Sequence, residues 1–355
     1  MKRTGYIYEM ITDRKNITMA AFNLSKSKKS KATREYLKKN MAKVVDSIIE
    51  NPHFDGKFKR FFHKEGEKVR EIFEPSLHDQ ILDEAIRIVI IPLVRPREYF
   101  HSYAAIKGKG PLRARNAVFR YVRKKWARWF RKLDIVKCFP TFPIDLVLKT
   151  YDHVFKDKKA RELIVEDLTA YTNFVGTENG LALGQPTSQE WTNLALTFAC
   201  YEAKQKIGIK ALIENMDDFV LIGSSKRELK KKGEAFKELL HQYGFKLHDE
   251  KDSIRPIEYV DKDGNRHGEG IDFCGYRIYK NCSTIRRRLF KKIRRCVIRC
   301  RDKPPCQKRA RRFLSYLGYI IHSESRNFRS KYGICDSFIN SMKGIVKGEP
   351  TPCNA

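Results

Sequence analysis

The feature that most constrains the fold is a pair of adjacent aspartates inside an apolar stretch, "ALIENMDDFVLIGSS", residues 211–225. Successive side chains of a strand point to opposite faces, and neighbouring carboxylates repel each other. Asp217 and Asp218 therefore destabilise such a strand unless a cation meets them. We interpret the segment as a β-hairpin that presents carboxylates to a positively charged partner.

The chain as a whole is strongly basic, with 73 Lys and Arg against 42 Asp and Glu and a formal net charge of +31. An excess of this size favours a polyanionic partner, most simply nucleic acid. Charge alone fits a ribosomal or architectural protein equally well. No apolar run approaches the roughly 18 residues of a membrane span, and the first residues lack a signal-peptide core. We expect a cytoplasmic protein without a membrane partner.

The cysteines do not predict a metal site. Cys296, Cys300 and Cys306 lie close together in the sequence, but no CxxC pair or paired histidine completes a zinc pattern. We expect reduced structural thiols.

Periodicity predicts a basic helical region that ends near Pro52, a turn at Gly66 and a strand, and a buried helix capped by Ser76. A strand around Asp134 follows, then two helices, a glycine-rich turn, a long amphipathic helix and the hairpin. Further strands precede a very basic region predicted to be helical from Ser283 to about Leu317. This order indicates an antiparallel sheet covered by helices on one face, an α+β fold.

Asp134 and the aspartate pair are the acidic residues that lie in strongly apolar, strand-like surroundings. If their strands are neighbours, the carboxylates converge, and Mg²⁺ is the natural partner of such hard oxygen ligands. Two Mg²⁺ ions about 4 Å apart can activate an attacking hydroxyl and stabilise the leaving oxygen of a phosphoryl transfer. The sequence therefore predicts an enzyme acting on nucleic acid, and a polymerase and a nuclease both fit this pattern.

Four segments together resemble the reverse transcriptases. "KLDIVKCFPTFP" is similar to the family's first catalytic strand, "LALGQPTSQEWTNLAL" to its template-positioning turn and helix, "NMDDFVLIG" to its catalytic hairpin, and "GIDFCGYRI" to its primer grip. They come in the family's order over roughly residues 60–280. The resemblance implies a right-hand polymerase fold. An N-terminal extension and fingers would take residues 1–130, a palm 131–282 with part of the fingers inserted at about 150–190, and a basic helical thumb and tail 283–355.

The resemblance also implies roles for individual residues. Asp134, Asp217 and Asp218 would be catalytic and, with Ile135, would bind two Mg²⁺ ions, with Mn²⁺ as a possible substitute. Residues expected to contact the deoxynucleotide are Lys68, Arg70, Phe139, Leu183, Gly184 and Lys251. Residues expected to contact template or primer are Ser188, Gln189, Phe273, Gly275, Tyr276, Arg286, Arg287 and Lys291.

Two of these assignments have a plainer alternative. Phe139 matches the aromatic residue that excludes a 2′-hydroxyl, but core phenylalanines are common. Lys251 matches a lysine proposed to protonate the pyrophosphate leaving group, but a solvated lysine fits as well.

The turn differs from that of most family members, which place Gln before the glycine and Ser-Pro at the end of the turn. Leu183 before the glycine, and Ser188-Gln189 at the end, resemble the reverse transcriptases of diversity-generating retroelements. Losing the amide at this position would weaken discrimination based on polar contacts. In that branch the enzyme copies an RNA template into cDNA with errors at adenines, alongside a structured noncoding RNA and a small helical accessory protein.

Two other functions stay open. An antiphage-defence or retron-like reverse transcriptase acting with a noncoding RNA would share the chemistry. A catalytically inactive nucleic-acid-binding protein is a remote third alternative.

Overall fold

The computed structural model describes residues 3–28, 30–65 and 68–348. The helices are α1 (Ile7–Thr12), α2 (Arg14–Ser27), α3 (Lys31–Glu50), α4 (Leu77–Val94), α5 (Pro111–Val122), α6 (Ile144–Val154), α7 (Lys158–Val175), α8 (Pro186–Gln205), α9 (Lys226–Gln242), α10 (Arg287–Asp302), α11 (Gln307–Ile321), α12 (Arg326–Lys331) and α13 (Asp336–Lys347). The strands are β1 (Phe58–Glu65), β2 (Lys68–Pro75), β3 (Trp129–Asp134), β4 (Ala211–Asn215), β5 (Asp218–Gly223), β6 (Ser253–Pro256), β7 (Tyr259–Val260), β8 (Arg266–His267), β9 (Ile271–Phe273), β10 (Tyr276–Ile278) and β11 (Ser283–Ile285).

The chain divides into two units. The first comprises the chain up to Ala105, Asp134–Gly208 and Glu234–Asp249, and the second comprises Ile106–Leu133, Ile209–Gly233 and the chain from Glu250 onward. Across the described ranges, no helix combines the length and the apolarity needed to cross a bilayer. The predicted division into fingers, palm and thumb stays a prediction, and the predicted turn at Gly66 lies outside the described residues.

The first unit is built around α4 and α8, which pack against each other. The predicted cap of α4 is confirmed, because the Ser76 hydroxyl accepts a hydrogen bond from the Asp79 amide at 3.1 Å. The sequence predicts an amphipathic α8, but thirteen of its twenty residues are buried. The helix has neighbours on more than one side, since α4 and α6 both pack against it. The β1–β2 hairpin rests on α7 through Phe73 and Tyr171, whose rings lie 5.1 Å apart.

The second unit contains a four-stranded sheet in the order β4-β5-β3-β6. β4 pairs antiparallel with β5, and β3 pairs antiparallel with β6. Buried apolar residues line both β4 and β5, so this hairpin lies in the core of the unit.

Two features of the second unit differ from the sequence-based expectation. β9, β10 and β11 form a separate three-stranded sheet instead of joining one continuous sheet. The segment Ser283–Ile285, predicted to be helical, is strand β11, because its residues pair with β10 and β-branched Thr284 and Ile285 suit a strand. The basic helical region is also interrupted, since α10 ends just before Pro304 and Pro305, which cannot continue a helix.

Helices α10 to α13 share an apolar core that includes Ile293, Val297, Phe313 and Met342. The opposite side of α10 is cationic: all eight Lys and Arg residues between positions 286 and 299 are exposed. Apolar residues at helical spacing thus bury one side of α10 and leave a basic surface on the other.

A buried ion pair braces the four-stranded sheet from within. Arg131 of β3 is almost fully buried, and its Nε donates to the Asp252 carboxylate at 2.6 Å. Its guanidinium also donates to the carbonyl of Lys230 in α9. A Cβ atom on Gly233 would overlap this guanidinium, so α9 needs a glycine where it passes the arginine.

Gly233→Ala should destabilise the protein, because the added methyl displaces a guanidinium that two-point bonding to Asp252 holds in place. Disrupting a buried ion pair of this kind costs about 3–5 kcal/mol. Gly318→Ala is the matched control, since its Cβ would meet no atom within 4 Å and alanine favours helix by about 0.5–1 kcal/mol. Urea unfolding measures both variants, and equal free energies of unfolding would contradict the structural role of Gly233.

Candidate active site

The aspartate pair lies at the tight end of the β4–β5 hairpin. Asn215 pairs with Asp218, which leaves Met216 and Asp217 as the turn. Met216 has φ 61°, a left-handed conformation that favours glycine. Its amide donates to Oε1 of Glu214 at 2.7 Å, and Glu214 is fully buried. The hairpin therefore holds the residue before Asp217 in a strained conformation.

This strain recurs at the other predicted motifs. Lys137 has φ 46° and lies in the segment after β3, two residues before the predicted site residue Phe139. Cys274 in the predicted primer grip has φ 47°. Non-glycine residues in this region cost about 1–3 kcal/mol each and cluster at functional sites.

Asp134 is the last residue of β3, and a second segment holds it in place. The backbone carbonyl of Asp134 accepts from the amide of His248 at 2.9 Å. The side chains also meet, with His248 Nε2 3.5 Å from Asp134 Oδ1. Ile135 forms a β-bridge with Leu247. Sequence reasoning missed His248, because nothing in its local sequence announces the pairing that brings it to Asp134.

The sheet topology relates the ends of the two aspartate-bearing strands. β3 and β5 are neighbours, and each has six residues. The amide of Arg128, just before β3, donates to the carbonyl of Gly223 at the end of β5 at 3.0 Å. The two strands therefore run antiparallel, so β3 ends at the edge of the sheet where β5 begins.

The donor set at these strand ends suits magnesium. Asp134, Asp217 and Asp218 supply carboxylate oxygens, and all three are partly exposed. In the described ranges, no cluster of three or more His, Cys, Asp or Glu side chains is arranged to hold a metal by itself. Magnesium usually keeps several waters and takes one or two carboxylates together with substrate phosphates. The carboxylate oxygens of these residues are chemically suited to a divalent metal ion.

In the first unit, the predicted nucleotide-binding turn lies along β2. The Leu183 carbonyl accepts from the amide of Phe73 at 2.9 Å. Gly184 has φ 143°, and a Cβ there would overlap the Phe73 carbonyl oxygen. Arg70 is exposed on the same face of β2 as Ile72, which the Gly184 Cβ would also touch. Arg70 therefore lies on β2, and Leu183 and Gly184 lie beside the same strand.

Phe139 is half-buried and linked to the same turn. Its carbonyl accepts from the Leu181 amide at 2.8 Å, two residues before Leu183. The side chains of Lys68 and Lys251 lie outside the described part of the structure.

The predicted template and primer residues divide into exposed and buried groups. On α8, Gln189 is exposed whereas the side chain of Ser188 is buried. Phe273 and Tyr276 are only 1% and 2% exposed, so their side chains support the primer-grip turn from inside. Any direct contact there would use the backbone around Gly275.

The β9–β10 turn, predicted to be the primer grip, lies close enough to the aspartate hairpin for its charges to act on Cys274. Burial raises the pKa of the Cys274 thiol, and the negative charges of Asp218 and Glu214 raise it further. Lys132 on β3 acts on the same thiol in the opposite direction. The second unit therefore brings β3, β5 and the β9–β10 turn close to one point. Arg286, Arg287 and Lys291 are exposed at the start of α10, shortly after this turn in the chain.

Comparison with known proteins shows which protein family this chain resembles. A family model described as "Reverse transcriptase (RNA-dependent DNA polymerase)" matches residues 62–321. The group II intron-encoded protein LtrA of Lactococcus lactis subsp. cremoris is 22% identical over 141 residues, 38% of this chain and 22% of that protein. The mitochondrial nuclear intron maturase 1 of Arabidopsis thaliana is 27% identical over 139 residues, 36% of this chain and 19% of that protein.

The chain thus aligns with about a fifth of the length of each of these relatives, 22% and 19%. Among solved structures, apo telomerase from Candida tropicalis has a TM-score of 0.41 at 13% identity, covering 64% of this chain and 46% of that one.

Proposed function

This chain belongs to the reverse transcriptase (RNA-dependent DNA polymerase) family, and on that premise we propose that it is an RNA-directed DNA polymerase. It extends a primer with deoxynucleotides on an RNA template and makes cDNA. The observation that carries the proposal is the antiparallel pairing of β3 and β5, which sets Asp134 and the Asp217–Asp218 pair at strand ends on one edge of a sheet.

In this proposal Asp134, Asp217 and Asp218 hold two Mg²⁺ ions, and Ile135 adds a backbone oxygen because its side chain has no donor. When bound, the metals polarise the primer hydroxyl and stabilise the pyrophosphate oxygens, and Mn²⁺ can substitute. His248 orients the Asp134 carboxylate through the 3.5 Å contact. Strain at Met216 fixes the backbone that presents Asp217.

Six residues are assigned to the incoming nucleotide. Arg70 and Lys68 bind phosphate oxygens, for which a guanidinium fork and a point charge are both suited. Leu183 and Gly184 line the base pair, and Phe139 excludes a 2′-hydroxyl. Lys251 protonates the leaving pyrophosphate. Gln189 and the backbone near Gly275 contact template and primer.

The role in the cell follows from the departures in the turn. Leu183 and the Ser188-Gln189 pair support error-prone copying in a diversity-generating retroelement with a small helical accessory protein. The relatives named as an intron-encoded protein and an intron maturase support a structured RNA partner. A defence-associated or retron-like enzyme would also use a noncoding RNA. The neighbouring genes distinguish them: an accessory gene and paired variable repeats support the retroelement, and a defence island supports the alternative.

Asp217→Asn should reduce primer extension on an RNA template with Mg²⁺ by at least about a hundredfold, because it removes a charge that the metal requires. Asp263→Asn, in the exposed turn between β7 and β8, is the matched control and should extend like wild type. Equal, measurable product yields from wild type and Asp217→Asn would contradict a catalytic role for Asp217, and no product from either would favour the inactive binding protein.

Leu183→Gln should lower misincorporation opposite template adenine, because the amide restores a polar contact beside the nascent pair. Leu183→Met keeps an apolar side chain of similar volume and serves as the control. Error spectra from sequenced cDNA give the result. An unchanged adenine error rate in Leu183→Gln would remove Leu183 from the fidelity argument.

The double variant Arg287→Gln, Lys291→Gln should reduce the slope of log affinity against log salt by about 1.8 for a primer–template duplex, since each phosphate contact contributes about 0.9. Arg311→Gln with Lys343→Gln removes two exposed charges from α11 and α13 as a control. Fluorescence anisotropy at several salt concentrations measures the slopes. Equal slopes for the two double variants would contradict a specific duplex-binding role for α10.

A further inference from the structure

The first unit contains two carboxyl groups that the proposed reaction does not use. Asp83 of α4 is 1% exposed, and Asp167 of α7 is 3% exposed. Burying a carboxylate is strongly unfavourable unless it is neutralised and hydrogen-bonded. Two buried carboxyl groups that repel each other when charged are costly, so the fold must gain something from keeping both.

Both groups bind the short segment between the nucleotide turn and α8. The Gln185 side-chain amide donates to Asp167 Oδ1 at 2.7 Å, and the Thr187 hydroxyl donates to Asp83 Oδ1. The Thr187 hydroxyl also acts on the Asp167 carboxyl, so it lies against both acids. Gln185 and Thr187 are themselves buried. The second oxygen of Asp83, Oδ2, has no hydrogen-bond partner among the described residues.

The same segment is fixed on its other side by backbone contacts. Leu183 accepts from Phe73 of β2, and Gly184 fits closely against the Phe73 carbonyl. Three residues after Thr187, Glu190 accepts from Arg95 at 3.1 Å. The turn is therefore clamped between β2 and the buried acids.

We propose that Asp83 and Asp167 are positioning residues for the nucleotide site: they hold Gln185 and Thr187, and thereby set Leu183 and Gly184 against the incoming base pair. The inference rests on the proposed polymerase function. The acids touch neither substrate nor metal and act through the turn.

Burial changes the protonation of Asp83 and Asp167. Burial raises the pKa of Asp83 to about 7 and raises the pKa of Asp167 well above its usual value, and the charge of Asp83 raises the pKa of Asp167 further. The pair therefore keeps a proton near neutral pH. Other charged side chains that act on this pair, directly or through one another, are Asp79, Glu84, Arg87 and Glu190.

The raised pKa of Asp83 in the folded state determines how the stability of the fold depends on pH. Folding takes up a proton between the ordinary carboxyl pKa and about 7, so the stabilisation is present at acidic pH and is lost as pH rises toward 7 and beyond. Above that range Asp83 becomes charged at a buried site, which desolvation disfavours even though Thr187 hydrogen-bonds more favourably to the ionised carboxyl.

Steady-state primer extension tests the role of the pair. Thr187→Val and Asp83→Ala should raise the KM for deoxynucleotide about tenfold, the effect of one lost hydrogen bond to a buried acid, and leave the KM for primer–template unchanged. Asp83→Asn keeps an oxygen acceptor for Thr187 and should restore the nucleotide KM. Glu162→Ala, an exposed acid on α7, is the matched control.

Hydrogen exchange at residues 181–189 gives a second readout that needs no activity. Thr187→Val should speed exchange there while exchange in the α10–α13 core stays unchanged, even if wild type proves to be no polymerase. If Asp83→Ala does not fold, the isosteric Thr187→Val still decides. An unchanged nucleotide KM with unchanged exchange would overturn the proposal, as would equal losses for both substrates.

Discussion

The pairing of β3 with β5 is the constraint on which the candidate active site depends. One hydrogen bond, from Arg128 to Gly223, fixes the direction of the two strands and hence the edge at which their acidic ends lie. The bidentate hydrogen bonds from Arg131 to Asp252 then hold β3 in place, and Gly233 leaves room for the Arg131 guanidinium. A register slip of one residue would turn each aspartate to the opposite face, so the candidate site depends on this strand pairing.

Much of this arrangement could be predicted from the sequence. The hairpin around Asp217, the strand around Asp134 and the cap at Ser76 are local patterns, in which apolar runs, turn residues and capping side chains act over a few positions. The family assignment is equally local, because it rests on short motifs in a fixed order. These patterns can be recognised without knowledge of the tertiary structure.

The remainder depends on contacts between distant segments. His248 meets Asp134 only because Ile135 pairs with Leu247, and no local pattern announces that bridge. Ser188, Phe273 and Tyr276 occupy motif positions, yet their burial depends on which neighbours pack over them. Strand β11 was predicted to be helical because its basic surroundings dominate the pattern, whereas three residues of pairing with β10 decide the structure. Asp83 and Asp167 gave no sequence signal at all.

The close approach of Gly184 to the Phe73 carbonyl has a consequence for how such an enzyme can change over evolutionary time. A position with no room for a side chain cannot be tuned by substitution, so adaptation at this turn falls to the residues beside it. Leu183 is half-buried and its backbone is already anchored, so its side chain can vary without moving the chain. A fixed glycine beside a side chain that can change separates what the fold requires at this turn from what the turn presents to its surroundings.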